Sequence, residues 1–356
     1  MRRVTRILVA LCQFLPGPAS SQVGFALGLL RGGLLGAVAA WAAFTLPSAA
    51  ALVLFARGAE GLEGTVGGGL VHGLKVVAVA VVAQAVWGMA RTFASDRERA
   101  AIAVSALLLV TLTGSSVAQV VAIAAGALAG LRLCRNGPVP NVGQLVFPVT
   151  RRAGAASLAL FLVLLVLLPV VSSAVASQGL AVFAAFYRVG SLVFGGGHVV
   201  LPLLQAEVLR SGWMGRDTFV AGYGAAQAVP GPLFSFAAYL GAEMQLAPNG
   251  IAGAAIALIA IFLPGFLLLL GVLPFWDELR TRTNAQAAMR GANAAVVGVL
   301  GAALYRLVWT SAIFGLADFA LALPGFVLLT VWKVPPWMVV GLLGLGGVIL
   351  NSLGAP

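Results

Sequence analysis

The chain has 356 residues, of which 61% are hydrophobic and only 9% are charged, and its mean hydropathy is +1.06. About 25% of the residues of a soluble globular protein are charged, so this composition excludes that class and indicates an integral membrane protein. Lys and Arg outnumber Asp and Glu by 21 to 10. Because these basic residues lie in short loops between apolar segments, without interleaved aromatic residues, they follow the positive-inside bias and do not indicate nucleic-acid binding.

Apolar stretches follow one another along the whole chain. A helical membrane span needs roughly 20 apolar residues. We predict ten to twelve spans, near 6–30, 33–56, 68–90, 100–113, 116–131, 154–174, 181–205, 218–242, 250–274, 288–310, 311–330 and 336–352. Two basic residues at span ends, Lys75 and Arg306, are expected to snorkel toward water. The stretches lack the two-residue alternation of strands, so we predict an all-α polytopic membrane protein.

One short motif occurs twice in this apolar sequence. Its first copy is Gln13-Phe14-Leu15-Pro16-Gly17-Pro18, and its second, 214 positions later (227 minus 13), is Gln227-Ala228-Val229-Pro230-Gly231-Pro232. The offset has grown only to 218 (291 minus 73) at Gly73 and Gly291, and we expect three of the extra residues around 245–249. A register that drifts so little indicates a duplicated module, so we predict two homologous repeats.

The repeat divides the chain into three parts. We predict a first transporter repeat at 1–133, a polar basic linker at 134–153 and a second transporter repeat at 154–356. At the offset of 214, Met1 aligns with Gly215, so we expect the first repeat to lack its first helix, or the start codon to be misplaced. The basic N-terminus is not interpreted as a signal peptide, because Gln and Pro interrupt the apolar stretch that follows.

Each Pro-Gly-Pro predicts a break in a transmembrane helix, because proline removes an amide donor and clashes with the preceding turn. The residues after the break then present unpaired amides at a new helix start, which favours anions. Breaks at matching positions of two repeats are typical of a transporter's substrate site, although simple packing kinks are the alternative. The candidate substrate-binding residues are Gln13, Pro16, Gly17, Pro18, Ser20, Ser21, Gln227, Pro230, Gly231, Pro232 and Ser235.

A third break is predicted at Phe194-Gly195-Gly196-Gly197, and these four residues join the candidate binding site. Each glycine inside a span costs roughly 1 kcal/mol relative to alanine, so the run needs a compensating role. Close helix packing through small residues is the alternative. Arg188, six positions before Phe194 (194 minus 188), is a candidate cation for an anionic substrate. His198 and Glu207 are candidates for proton coupling.

Nothing in the sequence indicates catalysis. Cys12 and Cys134 have no second cysteine at metal-binding spacing, and neither histidine belongs to a metal pair. The chain contains no HExxH motif, no paired-carboxylate spacing and no Ser/His/Asp set that converges in sequence. We therefore predict that the protein is not an enzyme and has no cofactor and no metal site.

These segments resemble the chromate ion transporter (CHR) family. The resemblance is carried by Phe194-Gly195-Gly196-Gly197, Glu207, Gly212-Trp213, residues 227–241, residues 11–18 and Phe44-Thr45-Leu46-Pro47-Ser48. It runs through nearly the whole chain and implies a bacterial inner-membrane protein of two homologous halves that exports chromate and confers chromate resistance. The chain departs from the two-half form in lacking a Phe-Gly-Gly segment before the first Pro-Gly-Pro. His198 stands where many members have another residue.

The predicted function is therefore a secondary transporter that exports chromate across the bacterial inner membrane by alternating access. Sulfate, a dianion of nearly the same size and charge, is a related candidate substrate. The alternatives are a transporter of another small anion or of a neutral solute, and a truncated partner subunit that does not itself transport. The expected partners are chromate or a related oxyanion and the lipid bilayer, without nucleic acid, and a homodimer is left open.

Overall fold

The computed structural model describes residues 2–59, 65–135, 147–193, 197–279 and 282–353, and every regular element within these ranges is helical. The helices are α1 (Arg2–Phe14), α2 (Ala19–Ala59), α3 (Thr65–Phe93), α4 (Arg97–Thr113), α5 (Ser116–Leu133), α6 (Arg151–Ala174), α7 (Gln178–Leu192), α8 (Val200–Val208), α9 (Arg216–Ala226), α10 (Phe236–Ala242), α11 (Gly250–Val272), α12 (Trp276–Leu279), α13 (Thr283–Ala303), α14 (Thr310–Ala312), α15 (Leu316–Thr330) and α16 (Pro336–Ser352). The predicted all-α class is confirmed.

Within the described ranges, five helical stretches are long and apolar enough to cross a membrane. They are Ala19–Gly58, Val66–Phe93, Arg151–Ala174, Gly250–Phe275 and Thr283–Ala312. Four shorter apolar helices accompany them, at Val117–Leu133, Leu233–Ala242, Leu316–Thr330 and Pro336–Ser352. This arrangement supports the predicted polytopic membrane protein. The stretches predicted as single spans at 181–205 and 218–242 are each interrupted, at the glycine run and at the second Pro-Gly-Pro.

Helix α2 is a hairpin of two antiparallel arms. Gly32 and Gly33 leave the helical conformation, with φ of −138° and +60°. A Cβ on Gly28 would collide with the backbone of Gly36, although residues eight apart on a straight helix are about 12 Å apart. The chain therefore reverses at Gly32 and Gly33, between the predicted spans 6–30 and 33–56.

Helices α10 and α11 form a second hairpin of the same kind, in which Gly241 lies against Gly253. The turn between them is longer than in α2, because it comprises residues 243–249. The three extra residues of the second copy were expected around 245–249, which lies inside this turn. A tight glycine reversal in one copy and a short loop in the other account for the change in offset.

The next hairpins pack on the opposite half of the chain. Helices α4 and α5 reverse at Gly114, with φ of +65°, and pack on α13, whereas α15 and α16 pack on α3. A Cβ on Gly73 would lie 2.8 Å from the Cα of Gly344, and a Cβ on Gly126 would lie 2.8 Å from the carbonyl oxygen of Gly291. Gly291 follows Gly73 by 218 positions (291 minus 73), and Gly344 follows Gly126 by the same number (344 minus 126). One contact is therefore repeated with the halves exchanged. Small residues permit this close approach of helices.

Helix α6 begins at Arg151, inside the segment predicted as the linker. The hydroxyl of Thr150 caps it by accepting a hydrogen bond from the amide of Ala153, at 3.2 Å. An N-cap threonine satisfies an amide that the first turn leaves unpaired, so the helix starts before the apolar run does. Residues 136–146 of the predicted linker lie outside the described residues.

Candidate functional site

The first predicted break separates α1 from α2 and contacts the second half of the chain. Gly17, with φ of +119°, donates its amide to the carbonyl of Val193 at 2.7 Å. The side-chain amide of Gln22 donates to the carbonyls of Pro16 and Gly265, each at 3.0 Å. A Cβ on Gly17 would lie 3.0 Å from the Cα of Gly265, so the break rests directly on the backbone of α11.

The second predicted break lies between α9 and α10 and contacts the first half of the chain. Gly231 has φ of +152°, and a Cβ there would lie 2.5 Å from the hydroxyl oxygen of Ser48 in α2. A 3-10 turn, Leu233–Ser235, follows the break and leads into α10. The hydroxyl of Ser235 is buried and donates to the carbonyl of Pro232 at 2.7 Å.

The two breaks make the same contact with the halves exchanged. Gly231 follows Gly17 by 214 positions (231 minus 17), and Gly265 follows Ser48 by 217 (265 minus 48), the offsets found in the sequence. Helices α2 and α11 also meet each other, where the ring of Trp41 lies 5.7 Å from that of Phe262, centroid to centroid. The first break is therefore held by α11, in the second half of the chain, and the second break by α2, in the first half.

The described residues on either side of the glycine run contact the two Pro-Gly-Pro breaks. The structure does not describe Phe194, Gly195 and Gly196, which therefore lie outside the described residues. Val193, before them, binds the first break, and a Cβ on Gly197, after them, would lie 3.4 Å from the Cβ of Leu233, which follows the second break. Four residue steps span at most about 14 Å. The two Pro-Gly-Pro breaks are therefore close together, on either side of Val193 and Gly197.

Several polar groups near the breaks are buried without a partner among the described residues. They are the hydroxyls of Ser21 and Thr45 and the side-chain oxygen of Gln22. A buried polar group left unpaired costs about 1–3 kcal/mol, so groups of this kind suit a ligand that supplies the missing partners. Among the other candidates, Gln13, Ser20 and Pro230 are exposed, Pro16 and Gln227 are half-buried, and Pro18 is buried.

Arg188 and Glu207, which the sequence placed in separate roles, form one ion pair. The Nε and Nη2 atoms of Arg188 donate to the two carboxylate oxygens of Glu207, at 2.9 and 2.7 Å. The two side chains are 39% and 25% exposed, and both line a cavity of about 490 Å³. Gln119 and Arg210 line the same cavity. In this conformation the guanidinium already has an anion, which is the glutamate.

His198 connects the glycine run to α9. Its Nδ1 lies 2.9 Å from the hydroxyl of Tyr223, and the carbonyl of Tyr223 lies 3.5 Å from the side-chain amide of Gln227. The partner of this histidine is a phenol, and the contact holds His198 against α9.

Sequence reasoning missed one buried acid. Asp318 is 1% exposed, and its Oδ1 lies 2.7 Å from Nε2 of His72. Its Oδ2 accepts hydrogen bonds from the amides of Phe314 and Gly315, at 2.8 and 3.3 Å. The available signal was a single acid at the start of an apolar span, because an ionisable residue there needs a partner.

The two basic residues expected to snorkel are both held by protein groups. Nζ of Lys75 lies 2.8 Å from the carboxylate of Asp217, at the start of α9. The Nη1 atom of Arg306 donates to the carbonyl oxygens of Val110 and Thr111, at 3.4 and 3.2 Å, at the end of α4. Carbonyl groups at a helix C-terminus attract cations, which accounts for the position of Arg306.

Comparison with known proteins places this architecture in a family. A family model described as "Chromate transporter" matches residues 5–131 and 180–348, two regions that flank α6. The chain is 28% identical to a chromate transport protein of Pseudomonas aeruginosa, over 95% of this chain and 80% of that protein. It is 27% identical to a probable chromate transport protein of Synechococcus elongatus, over 97% and 84% of the two chains.

A third relative is an uncharacterized transporter of Methanocaldococcus jannaschii, 25% identical over 84% of this chain and 73% of that protein. No solved structure matches the chain. The two regions that match the family model cover most of the chain and contain all three predicted breaks. The chain therefore belongs to the chromate transporter family.

Proposed function

We propose that this chain is a secondary transporter that exports chromate across the bacterial inner membrane by alternating access. Sulfate and similar tetrahedral dianions are the related substrates. The observation that carries the proposal is the convergence of the breaks, in which Gly17 contacts Val193 and Gly265 while Gly231 contacts Ser48. In a membrane, irregular backbone is tolerated only where it is buried in protein or lines a water-filled cavity.

The chemistry at the breaks suits an oxyanion. Helix α2 begins directly after the first break, and its free amides carry the partial positive charge of a helix N-terminus. The hydroxyls of Ser21 and Thr45 are buried and have no partner among the described residues, so they are free to donate. Neutral donors and a helix dipole stabilise a dianion without a permanent ion pair, which favours release after transport. The names of the two bacterial relatives, both chromate transport proteins, support chromate as the substrate.

The exchanged contacts suit alternating access. The first break rests on α11 and the second on α2, so each break lies between the halves. A rocking of one half against the other therefore displaces both breaks together. The protein amides and hydroxyls that bind the substrate would then face one side of the membrane and afterwards the other. A movement confined to one half would change only one break.

Glu207 and Arg188 support proton coupling in this mechanism. A proton taken up by the carboxylate of Glu207 removes its negative charge, which weakens the pair and leaves the Arg188 guanidinium available to an entering dianion. When the proton leaves, the carboxylate binds the guanidinium again and displaces the anion. His198, hydrogen-bonded to Tyr223, remains the second coupling candidate.

The test is uptake of radiolabelled chromate by everted membrane vesicles, with and without an excess of sulfate. We expect saturable uptake that sulfate inhibits, its loss in Gly231→Leu, and its retention in Gly88→Leu, because a Cβ at Gly88 meets nothing within 4 Å. Absence of uptake by wild-type protein, with its presence in the membrane verified, would contradict chromate export. The remaining candidates would then be another anion or neutral solute, tested by exchange, and a partner subunit, tested by co-expression.

A further inference from the structure

A second cavity, of about 490 Å³, lies where the turn between α4 and α5 meets the π-helix Leu304–Trp309. Its polar lining comprises two guanidinium groups, two amides and three hydroxyls, from Arg216, Arg306, Gln119, Gln205, Ser115, Tyr305 and Thr310. No carboxylate is among the lining residues that the structure describes. A cavity with two cations and no acid has the charge to concentrate anions.

Arg306 is fixed in this cavity by the end of α4. A Cβ on Gly114 would lie 2.7 Å from Nη1 of Arg306, so the guanidinium lies directly on the glycine backbone. Its Nη1 donates to the carbonyls of Thr111 and Val110. An arginine has five N–H donors, and only Nη1 of Arg306 is bonded to a group that the structure describes, which leaves the other nitrogens to a ligand in the cavity.

The π-helix supplies a second, independent observation. It covers six residues, directly after α13, and both Tyr305 and Arg306 belong to it and line the cavity. π-helical turns are rare and are frequent at functional sites, because the wider turn changes the direction of its side chains. The departure from α-helix therefore occurs where the charged cavity lies.

Arg216 supplies the second positive charge. It is exposed, and it forms no ion pair or hydrogen bond with any residue that the structure describes. The acid next to it in the chain, Asp217, is paired with Lys75 at 2.8 Å. The charge of Arg216 is therefore not neutralised locally.

We propose that this cavity is a second binding site for a small tetrahedral oxyanion, distinct from the helix breaks. The choice of a dianion of the chromate and sulfate type rests on the proposed function. Gln119 lines both this cavity and the one that contains Arg188 and Glu207, so the two cavities are neighbours. An oxyanion bound between Arg216 and Arg306 lies next to the ion pair that admits it to the carrier.

The test is equilibrium dialysis of radiolabelled sulfate against the purified full-length protein in nanodiscs of phosphatidylcholine. We expect Arg306→Gln and Arg216→Gln each to weaken binding by about tenfold or more, because each removes a charge-assisted hydrogen bond. Arg306→Lys should weaken it less. Arg91→Gln, a variant of an exposed arginine outside this cavity, is the matched control and should bind as wild type does. Circular dichroism and gel filtration verify that each variant is folded.

Several outcomes would overturn the inference. The wild-type protein could bind no sulfate saturably, or both Gln variants could bind it with unchanged affinity. The Arg91→Gln control could also lose as much affinity for sulfate as the cavity variants do. Displacement of sulfate when phosphatidylglycerol is added to the nanodisc would assign the cavity to lipid headgroups instead. Ser21→Ala separates the two proposals, because it removes an unpaired hydroxyl at the breaks without overpacking. It should impair transport and leave the Arg306-dependent part of sulfate binding unchanged. Failure of chromate uptake with intact, Arg306-dependent sulfate binding would refute the transport proposal alone.

Discussion

The close approach of Gly231 to α2 predicts that even one added methyl group destabilises the protein. In Gly231→Ala the new Cβ would lie 2.5 Å from the hydroxyl oxygen and 2.7 Å from the Cβ of Ser48, on a residue with φ of +152°. A φ of +152° lies in a sparsely populated region and costs about 1–3 kcal/mol for a non-glycine residue. The overpacking costs about 1–3 kcal/mol more. We therefore expect the free energy of unfolding to fall by about 2–6 kcal/mol.

Gly212→Ala is the control, because Gly212 also has positive φ, +68°, but a Cβ there meets nothing within 4 Å. It should cost only the conformational part, about 1–2 kcal/mol. Thermal unfolding of the purified proteins in detergent measures both variants. Adding Ser48→Gly to Gly231→Ala removes the two atoms that collide, so the double-mutant cycle should show a favourable coupling of about 1–3 kcal/mol. Equal losses in the two alanine variants, or no coupling to Ser48, would refute the contact between this break and α2.

Three further predictions concern contacts between the halves. Asp318→Asn should lower the free energy of unfolding by about 1–3 kcal/mol, because the carboxylate accepts hydrogen bonds from two amides and contacts His72. His72→Gln removes only one of these contacts and should cost less. A greater loss in His72→Gln than in Asp318→Asn would contradict this account of the buried acid. Gly73→Val should reduce the yield of folded protein in gel filtration, because its Cβ would lie 2.5 Å from a carbonyl oxygen of α16. Gly88→Val, on the same helix, meets nothing within 4 Å and should not reduce the yield. Equal yields of the two variants would exclude the close packing of α3 against α16. Gln22→Leu leaves the carbonyls of Pro16 and Gly265 without their donor and should lower the free energy of unfolding by about 1–3 kcal/mol. Thermal unfolding measures this loss, and an unchanged midpoint would contradict the two hydrogen bonds.

Sequence by itself determined the class of the protein and where its helices break. Composition forces long apolar helices, and the Pro-Gly-Pro segments interrupt them because proline cannot donate to the preceding turn. The offset of 214 between the two Pro-Gly-Pro segments also predicted that they correspond. The hairpin turn at 243–249 includes the positions where the extra residues were expected. These features depend on a few neighbouring residues, so they can be predicted without knowledge of the fold.

Only the tertiary structure decided which surfaces meet. Gly17 contacts Gly265, 248 positions away (265 minus 17), and His72 contacts Asp318, 246 positions away. The ion pair of Arg188 with Glu207 likewise became visible only in the fold. The physical reason is that all faces of a membrane helix are apolar, so hydropathy does not say which face packs against which neighbour. Partner choice follows from the packing of small residues and the pairing of rare polar groups over the whole bundle.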